Sequence, residues 1–186
     1  MIELRDITPA DKETIRQWRN LPEVGKYMYT DHQISPEEHE IWFQRAIKNP
    51  ANRDWIIVCD GEDVGLVNIY ALDERNRRCY WAFYIASADV RGKGVGTFVE
   101  YSVIQYVFDV LGLNKLCCEV LGFNEAVVNM HKRFGFRQEG LYREHIYKGS
   151  KYHDVVSLAL LHADWEDKKL EIEEKLRGKG LLKEDD

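Results

Sequence analysis

Hydrophobic and polar positions repeat with two different periods along the chain. Short apolar runs with strand character lie at residues 2–5, 55–59, 64–71, 79–86, 115–121, about 138–147 and 155–161. Between them, apolar residues recur at helical spacing over residues 8–19, 35–49, 97–112 and 124–135. The pattern therefore predicts seven strands flanked by about four helices.

The order of these elements predicts how the sheet is built. Hairpins come first, and Asp60-Gly61 is a strong signal for the turn between two of their strands. A strand–loop–helix–strand–helix segment follows, and a last hairpin turns near Gly149-Ser150. This order predicts an α+β (mixed α/β) fold in which helices pack against a central, mostly antiparallel sheet.

Helix-boundary signals suggest one domain followed by a tail. Thr8-Pro9 opens the first helix, Ser35 and Glu38 form a capping box at the second, and Gly135 ends the fourth. A chain of 186 residues has room for one domain, which we place at residues 1–165. Residues 166–186 are highly charged and are predicted to begin as a helix and then fray.

Composition narrows the class of protein. A net charge of −6 and a pI near 5.6 argue against a nucleic-acid-binding surface. Without a long apolar run, no membrane span is expected, and the charged start "MIELRDITPADKE" does not resemble a signal peptide. The four cysteines show no metal-ligand spacing and are expected to be reduced core thiols. We therefore expect a soluble, cytoplasmic protein without a metal site.

The segment "DVRGKGVGTF", residues 89–98, places glycine at alternate positions where a strand leads into a helix. Bare backbone N–H groups beside a helix N-terminus form an anion site, and phosphate is its usual occupant. The P-loop pattern G-x-x-x-x-G-K-[ST] does not occur. The dinucleotide-binding pattern G-x-G-x-x-G has Thr97 at its third glycine, although Glu119 lies near the expected acidic position. A third pattern, R-x-x-G-x-G, is matched by Arg91, Gly94 and Gly96.

The third pattern resembles the GNAT family of acetyl-CoA-dependent N-acetyltransferases, and the resemblance covers about residues 64–161. A second family motif has an asparagine, a tyrosine seven residues later, and then Gly-Phe. It is matched by Asn124 and Gly135-Phe136, with His131 in place of the tyrosine. The resemblance implies a GNAT-type fold and acetyl-CoA as co-substrate. It further implies that the coenzyme contacts Tyr84, Ala86, Arg91, Gly92, Lys93, Gly94, Val95, Gly96, Thr97 and Asn124.

The same resemblance implies three catalytic roles. The backbone N–H of Tyr84 is expected to stabilise the oxyanion, and Glu119, five residues before Asn124, is the candidate base. Some family members carry an acid on the preceding strand, but this chain has Tyr80 there. His131 is the candidate acid for the departing thiolate. Two simpler interpretations stay open: Glu119 faces solvent or pairs with an arginine, and His131 only contacts the coenzyme or lies on the helix surface.

The N-terminal third is expected to bind the acceptor amine. The order W-R-N, M-Y, I-S and H-x-x-W resembles the nucleotide-sugar N-acetyltransferases of pseudaminic acid biosynthesis, which acetylate the 4-amino group of a UDP-linked amino-deoxy sugar. The matching residues, which core packing would also explain, are Arg19, Met28, Tyr29, His39 and Trp42. The closing hairpin resembles ribosomal-protein alanine N-acetyltransferases, so a peptide amine is the alternative acceptor. A CoA-binding module without catalysis, and a homodimer, also stay open.

Overall fold

A computed structural model describes residues 1–182 of the chain. Seven strands form one sheet in the spatial order β1-β2-β3-β4-β5-β7-β6. Every neighbouring pair is antiparallel except β4 and β5, which are parallel. The strands are β1 (Ile2–Asp6), β2 (Arg53–Cys59), β3 (Glu62–Asp73), β4 (Arg78–Ile85), β5 (Lys115–Leu121), β6 (Arg137–Lys148) and β7 (Lys151–Leu161). The predicted fold class and the seven-stranded, mostly antiparallel sheet are confirmed.

The described residues form six α-helices, one more than the four predicted helices and the predicted helical start of the tail. They are α1 (Lys12–Arg19), α2 (Pro22–Gly25), α3 (Pro36–Ala46), α4 (Val95–Gln105), α5 (Glu125–Arg133) and α6 (His162–Gly178). The four-residue α2 lies in the segment predicted to be irregular, and α4 runs on into a π-helical turn at Tyr106–Val110. Ser35 caps α3 by accepting a hydrogen bond from the N–H of Glu38, as the sequence predicts.

The parallel pairing between β4 and β5 is short. Only Arg78–Tyr80 of β4 pair with Lys115–Cys117 of β5, and the rest of β5 pairs with β7 on its other side. Beyond Tyr80 and Cys117 the two strands part. The sheet therefore consists of two antiparallel halves, β1–β4 and β5–β7, joined by three residue pairs with a gap beside them.

Each face of the sheet carries its own hydrophobic core. On the α4–α5 face, Trp81 and Leu116 pack with Val99 of α4 in the larger core. On the α1–α3 face, Ile15 and Phe43 pack on Ile56 in a smaller core. Because side chains alternate between faces along a strand, successive residues of β4 and β5 border the gap on opposite faces.

The C-terminal helix belongs to the main core. Trp165, Ile172 and Leu176 of α6 are buried in the same cluster as Trp81, and Leu181 packs against that cluster. The predicted boundary at residue 165 is therefore wrong, because it cuts through α6 and separates part of the core. The predicted tail extends over residues 183–186, which lie outside the described residues.

Two further expectations concern the class of protein. All four cysteines are buried free thiols, as predicted. Among residues 1–182, no helix combines the length and apolar character needed to cross a membrane.

Candidate active site

The gap between β4 and β5 opens into a cleft of about 860 Å³. Its walls come from the second half of β4, the second half of β5, the glycine-rich loop, α5 and residues 23–29. The cleft reaches both faces of the sheet, since it is bordered by His131 and Gly96 on the α4–α5 face and by Tyr29 and Glu119 on the other. A molecule threaded through the gap would present its two ends to different sets of side chains.

The glycine-rich loop has free backbone N–H groups where the sequence predicts an anion site. Gly92 and Gly94 have φ angles of 79° and 80°, which glycine adopts without strain. Among the described residues, the N–H groups of Gly92, Gly94, Val95, Gly96 and Thr97 have no hydrogen-bond partner. Because α4 begins at Val95, its dipole adds positive potential at the same place. The donor set fits the diphosphate of coenzyme A, which supplies the activated acetyl group as a thioester.

Arg91 and Lys93 differ from the other loop residues. Their N–H groups donate to the carbonyl oxygens of Ala88 and Val90, at 3.2 Å each, and so cannot also bind phosphate. Arg91 nevertheless lines the cleft, whereas the side chain of Lys93 extends to Asp60, with 3.4 Å between Nζ and Oδ2. The prediction that Lys93 contacts the coenzyme through its backbone is therefore corrected.

The backbone of β4 corrects two further predictions. Ala86 and Ser87 both donate to the carbonyl of Val64, at 2.7 and 3.3 Å, which is the pattern of a β-bulge. Tyr84 lies two residues earlier, opposite Leu66, so its N–H also points toward β3. The Tyr84 carbonyl faces β3 as well, because a Cβ built on Gly65 would lie 2.2 Å from that oxygen.

The donors directed at the gap are instead those of Phe83 and Ile85. In an antiparallel ladder, alternate residues point their N–H groups away from the neighbouring strand. On β4 these residues face the side where β5 has parted. Phe83 or Ile85, and neither Tyr84 nor Ala86, is therefore placed to stabilise an oxyanion or to pair with a pantetheine arm through its N–H.

Glu119 lies on the α1–α3 side of the gap. Its Oε2 accepts a hydrogen bond of 2.8 Å from the hydroxyl of Tyr29, which joins two residues that the sequence singled out separately. Burial, and then this carboxylate, raise the pKa of Tyr29 above its usual value, so the phenol remains a donor. Glu119 borders the cleft and makes no ion pair with an arginine among residues 1–182.

His131 lies across the gap, on the α4–α5 face. It is 3% exposed, and its Nδ1 is 2.8 Å from Oε1 of Glu100, which is 0% exposed. Burial raises the pKa of the Glu100 carboxyl, and His131 opposes that shift in part. Glu100 is not among the site residues predicted from the sequence, although an acidic residue inside the apolar run "TFVEYSVIQ" indicates a buried partner. Asn124, at the start of α5, also borders the cleft.

A second cavity of about 340 Å³ adjoins the cleft on the α1–α3 face. Arg19, Met28 and Trp42 line it together with Tyr84, and Met28 and Tyr84 also line the main cleft. Four of the five residues predicted to bind the acceptor therefore lie around two connected spaces. Three sealed polar atoms of this region have no partner within the described part of the chain: Arg19 Nε, Asp54 Oδ1 and the Tyr84 hydroxyl.

His39 is the exception among the predicted acceptor residues. It is 4% exposed, its Nε2 lies 2.8 Å from the carbonyl oxygen of Lys12, and its ring stacks on Trp42. Burial lowers the pKa of His39, which favours the neutral ring. His39 thus joins α1 to α3 and supports Trp42, and the prediction that it touches the acceptor is revised.

One surface cluster outside the cleft could hold a metal ion. Asp109, His162 and Glu166 have ligand atoms within 4.8 Å of one another. However, Asp109 is already paired with Lys169, and His162 stacks on Phe108. The expected absence of a metal site stays a prediction.

The sequence model of the acetyltransferase (GNAT) domain matches residues 2–137. The spermidine N(1)-acetyltransferase of Escherichia coli K12 is 25% identical, with 98% of this chain and 95% of that protein aligned. YdaF of Bacillus subtilis, named provisionally as a ribosomal N-acetyltransferase, is 28% identical over 90% of this chain and 95% of its own length.

Two further similarities bear on the acceptor and on the fold. The acetyltransferase PseH of Campylobacter jejuni is 24% identical over 73% of this chain and 85% of its own length. The crystal structure of a Vibrio cholerae spermidine N-acetyltransferase with CoA and spermine superposes with a TM-score of 0.82 at 22% identity. That match covers 89% of this chain and 98% of the other.

Three observations support the same activity: the family match, the free N–H groups of the loop, and the gap between β4 and β5. The chain is an N-acetyltransferase that uses acetyl-CoA, and it belongs to the GNAT acetyltransferase family.

Proposed function

We propose that the acceptor is the 4-amino group of a UDP-linked amino-deoxy sugar, acetylated by direct transfer from acetyl-CoA. The observation that carries this proposal is the second cavity, which Arg19, a charged hydrogen-bond donor, lines. A nucleotide sugar offers carbonyl and phosphate oxygens that such a donor would bind strongly. The aromatic and apolar walls, Trp42, Tyr70 and Met28, suit the flat faces of a base and a sugar.

The charge of the second cavity supports a neutral or anionic group there. Within the described part of the chain, its lining includes Arg19 and no acidic side chain. A polyamine carries several positive charges, so a cation without a facing carboxylate would repel it. The cavity therefore suits the body of a nucleotide sugar better than the arm of a polyamine.

We place three groups of the chain around the reacting atoms. Glu119, held by Tyr29, accepts the proton of the attacking ammonium, because the amine needs a free electron pair. The N–H of Phe83 or Ile85 stabilises the negative charge that develops on the carbonyl oxygen. His131 donates a proton to the departing sulfur from the opposite side of the sheet.

A polyamine is the second candidate acceptor. Glu23 and Glu119 both line the main cleft and would attract a polycation. Two of the similar proteins are also named for spermidine acetylation. The closing hairpin keeps a peptide amine as a third candidate, in line with the sequence resemblance.

An acceptor panel tests the proposal. Release of free CoA would be measured with 4-amino nucleotide sugars, spermidine, and peptides that begin with Ala or Ser, and mass spectrometry would locate the new acetyl group. We expect turnover with the nucleotide sugars at the lowest KM. Turnover confined to spermidine or to the peptides would overturn the proposal, and coenzyme binding without any turnover would favour a module without catalysis.

A variant pair sharpens that result. Arg19→Met removes the cation from the second cavity, whereas Arg45→Met removes an exposed cation from α3. We expect Arg19→Met to raise the KM of the nucleotide sugar roughly 30-fold, in keeping with the loss of a charged hydrogen bond, and Arg45→Met to leave it within twofold. Equal KM values for the two variants would contradict the proposed binding mode.

A further inference from the structure

A buried carboxyl lies behind the histidine of the cleft. Glu100 is in the second turn of α4 and is surrounded by apolar neighbours of the main core, including Val99 and Val103. Its Oε1 lies 2.8 Å from Nδ1 of His131, and its Oε2 is sealed from solvent with no partner among residues 1–182. Burying a carboxyl in such a place is costly unless another group compensates for it.

The groups that face Glu100 come from α5 and β5, and a residue of β4 packs on its histidine partner. On α5 these are His131, which hydrogen-bonds it, and Arg133, whose charge favours the carboxylate. On β5 the thiol of Cys118 lies close enough to be affected by its charge, and burial raises the pKa of that thiol. On β4 the indole of Trp81 meets the imidazole edge-on, with 5.2 Å between ring centroids. His131 is thus the only hydrogen-bond partner of Glu100 in the described structure.

The second nitrogen of His131 is the one that can reach the cleft. The ring borders the cleft beside Gly96 and Met130, on the side where the coenzyme loop lies. Nδ1 is occupied by Glu100, while Nε2 makes no hydrogen bond to any residue that the structure describes. A carboxylate on one imidazole nitrogen fixes the ring orientation and stabilises the imidazolium, so that the other nitrogen serves as the proton donor.

We propose that Glu100 is a positioning residue that holds His131 with Nε2–H directed at the leaving sulfur, so that the pair delivers the proton that the CoA thiolate needs. In the step, the amine nitrogen forms a bond to the thioester carbonyl carbon, and the carbon–sulfur bond breaks with its electron pair on sulfur. Sulfur takes the proton from Nε2, the amine proton goes to Glu119, and both groups return to their starting state by exchange with solvent. The proposal rests on acetyl transfer to an amine, but not on which amine is used.

His131 occupies the position at which the resemblance leads one to expect a tyrosine, and a histidine makes a different demand on its surroundings. A phenol needs no carboxylate behind it, because it is neutral and protonated at neutral pH. An imidazole whose Nδ1 proton is held by a carboxylate can give up a proton from Nε2 only in its cationic form, and a carboxylate at Nδ1 stabilises that form. The substitution of histidine and the buried glutamate are therefore two parts of one arrangement.

A double-mutant cycle with a matched control tests the proposal. Glu100→Gln keeps the size of the side chain and removes its charge. The control is Glu173→Gln, which makes the same change at another buried glutamate that is 9% exposed. Glu173 accepts a hydrogen bond of 2.9 Å from Tyr101 and lies far from the gap. We expect Glu100→Gln to lower kcat roughly 30-fold, less than the roughly 100- to 10,000-fold contribution of a general acid because His131 is still present, with the KM of acetyl-CoA within twofold. The alkaline limb of the kcat–pH profile should move to lower pH, and Glu173→Gln should change none of these values.

His131→Gln separates positioning from a merely structural role. If Glu100 acts through His131, the double variant should have the same kcat as His131→Gln alone. Multiplied losses in the double variant, a kcat of Glu100→Gln no lower than that of Glu173→Gln, or an unmoved pH profile would overturn the proposal. Any acceptor that supports CoA release serves, so a wrong assignment of the acceptor would not imitate a negative result.

A measurement on the unmodified protein covers the case in which Glu100→Gln fails to fold. Nitrogen-15 NMR of labelled histidine would follow His131 through a pH titration in the absence of any acceptor. We expect Nε2 to lose its proton as pH rises while Nδ1 keeps its own. Loss of the proton from Nδ1 with Nε2 still protonated would overturn the proposal.

Discussion

Each face of the sheet buries a carboxyl group, and the two carboxyl groups differ in their partners. Glu100 on the α4–α5 face has a histidine partner at 2.8 Å. Asp54 on the α1–α3 face, 7% exposed, has no cation bound to it in the described part of the chain, and one of its oxygens is unpartnered. Both faces leave sealed polar atoms without a partner in the described chain: Glu100 Oε2 and the indole nitrogens of Trp81 and Trp165 on one, Arg19 Nε, Asp54 Oδ1 and the Tyr84 hydroxyl on the other. The two faces therefore differ in the partner of the buried carboxyl, which is a histidine on the α4–α5 face and no charged group among residues 1–182 on the α1–α3 face.

This difference corresponds to the two substrates. Acetyl-CoA is the same for every member of the family, so its side of the gap can use backbone N–H groups and a fixed histidine pair. The acceptor varies between members, and its side depends on individual side chains supplied by α1, α3 and the residues between them. We therefore expect variants on the two faces to change different kinetic constants.

Glu119→Gln should have the largest effect. The amide cannot take a proton from the ammonium, so we expect kcat to fall about 100-fold while the dissociation constant of acetyl-CoA stays within twofold. Stopped-flow detection of thiol release over pH 6 to 10 would measure the rate and the shape of the acid limb. A rate within threefold of the unmodified protein would remove Glu119 from the mechanism.

Asp54→Asn should stabilise the fold at neutral pH. Burial raises the pKa of Asp54 to about 6, an effect that a hydrogen bond from Asn68 reduces in part. The folded chain therefore binds more protons than the unfolded chain between about pH 4 and 6, and stability falls as pH rises through that window. Removing the charge should add about 2 kcal/mol to the free energy of unfolding at pH 7.5 and little at pH 4.

Asp11→Asn should change the free energy of unfolding in the opposite direction and so serves as the comparison. The hydrogen bonds from Arg5 hold the pKa of Asp11 at about 2. The Asp11 carboxylate stabilises the fold above the pKa that Asp11 has in the unfolded chain, and this contribution is lost as pH falls through about 2. The Asp11→Asn variant should therefore be less stable than the unmodified protein at pH 7.5. Urea denaturation of both variants at pH 4 and 7.5 would measure the effects. Destabilisation of both at pH 7.5 would show that Asp54 is compensated by a group not identified above.

Gly92→Ala should weaken coenzyme binding about 10-fold. A side chain at φ 79° strains the loop by about 1 kcal/mol and disturbs the N–H groups that face the diphosphate. Gly112→Ala is the control, because that glycine also has a positive φ of 62° and open space around it but lies outside the cleft. Isothermal titration with CoA would compare the two. Equal dissociation constants would place the diphosphate elsewhere.

Tyr29→Phe should have the smallest effect. It removes the 2.8 Å hydrogen bond to Glu119 but leaves the carboxylate in place. We expect kcat to fall about threefold, consistent with the loss of one neutral donor to a charged acceptor, and the effect to vanish in a Glu119→Gln background. Losses that simply multiply would show that Tyr29 acts on the acceptor independently of Glu119.

The sequence predicts the glycine-rich loop of the α4–α5 face well, because the loop depends on a local pattern. The glycine spacing and the start of a helix are properties of ten consecutive residues, and they suffice to locate the free N–H groups of the loop. The strand order is also readable, since hairpin turns such as Asp60-Gly61 fix which strands are neighbours. Tyr84 and Ala86 were misassigned because hydrogen-bond direction along β4 depends on its register with β3, which no local pattern reveals.

The α1–α3 face is harder to predict for the same reason. Arg19, Met28 and Trp42 come together only when the short helix α2 turns the chain back over the sheet, and nothing in their spacing distinguishes them from His39, which is packed inside. On the α4–α5 face, the pairing of Glu100 with His131 is equally hard to predict, because it joins residues 31 positions apart on different helices. A polar residue in an apolar run indicates that a partner exists, but only the fold identifies it.

The short seam between β4 and β5 has a mechanical consequence. Two antiparallel halves of the sheet are connected edge to edge by three residue pairs, so a force that shears one half past the other is concentrated there. A linear ligand arm lying along the edges beyond Tyr80 and Cys117 would lengthen the seam. Single-molecule pulling across it should therefore meet greater resistance when coenzyme is bound, although the protein itself gains no new internal bond.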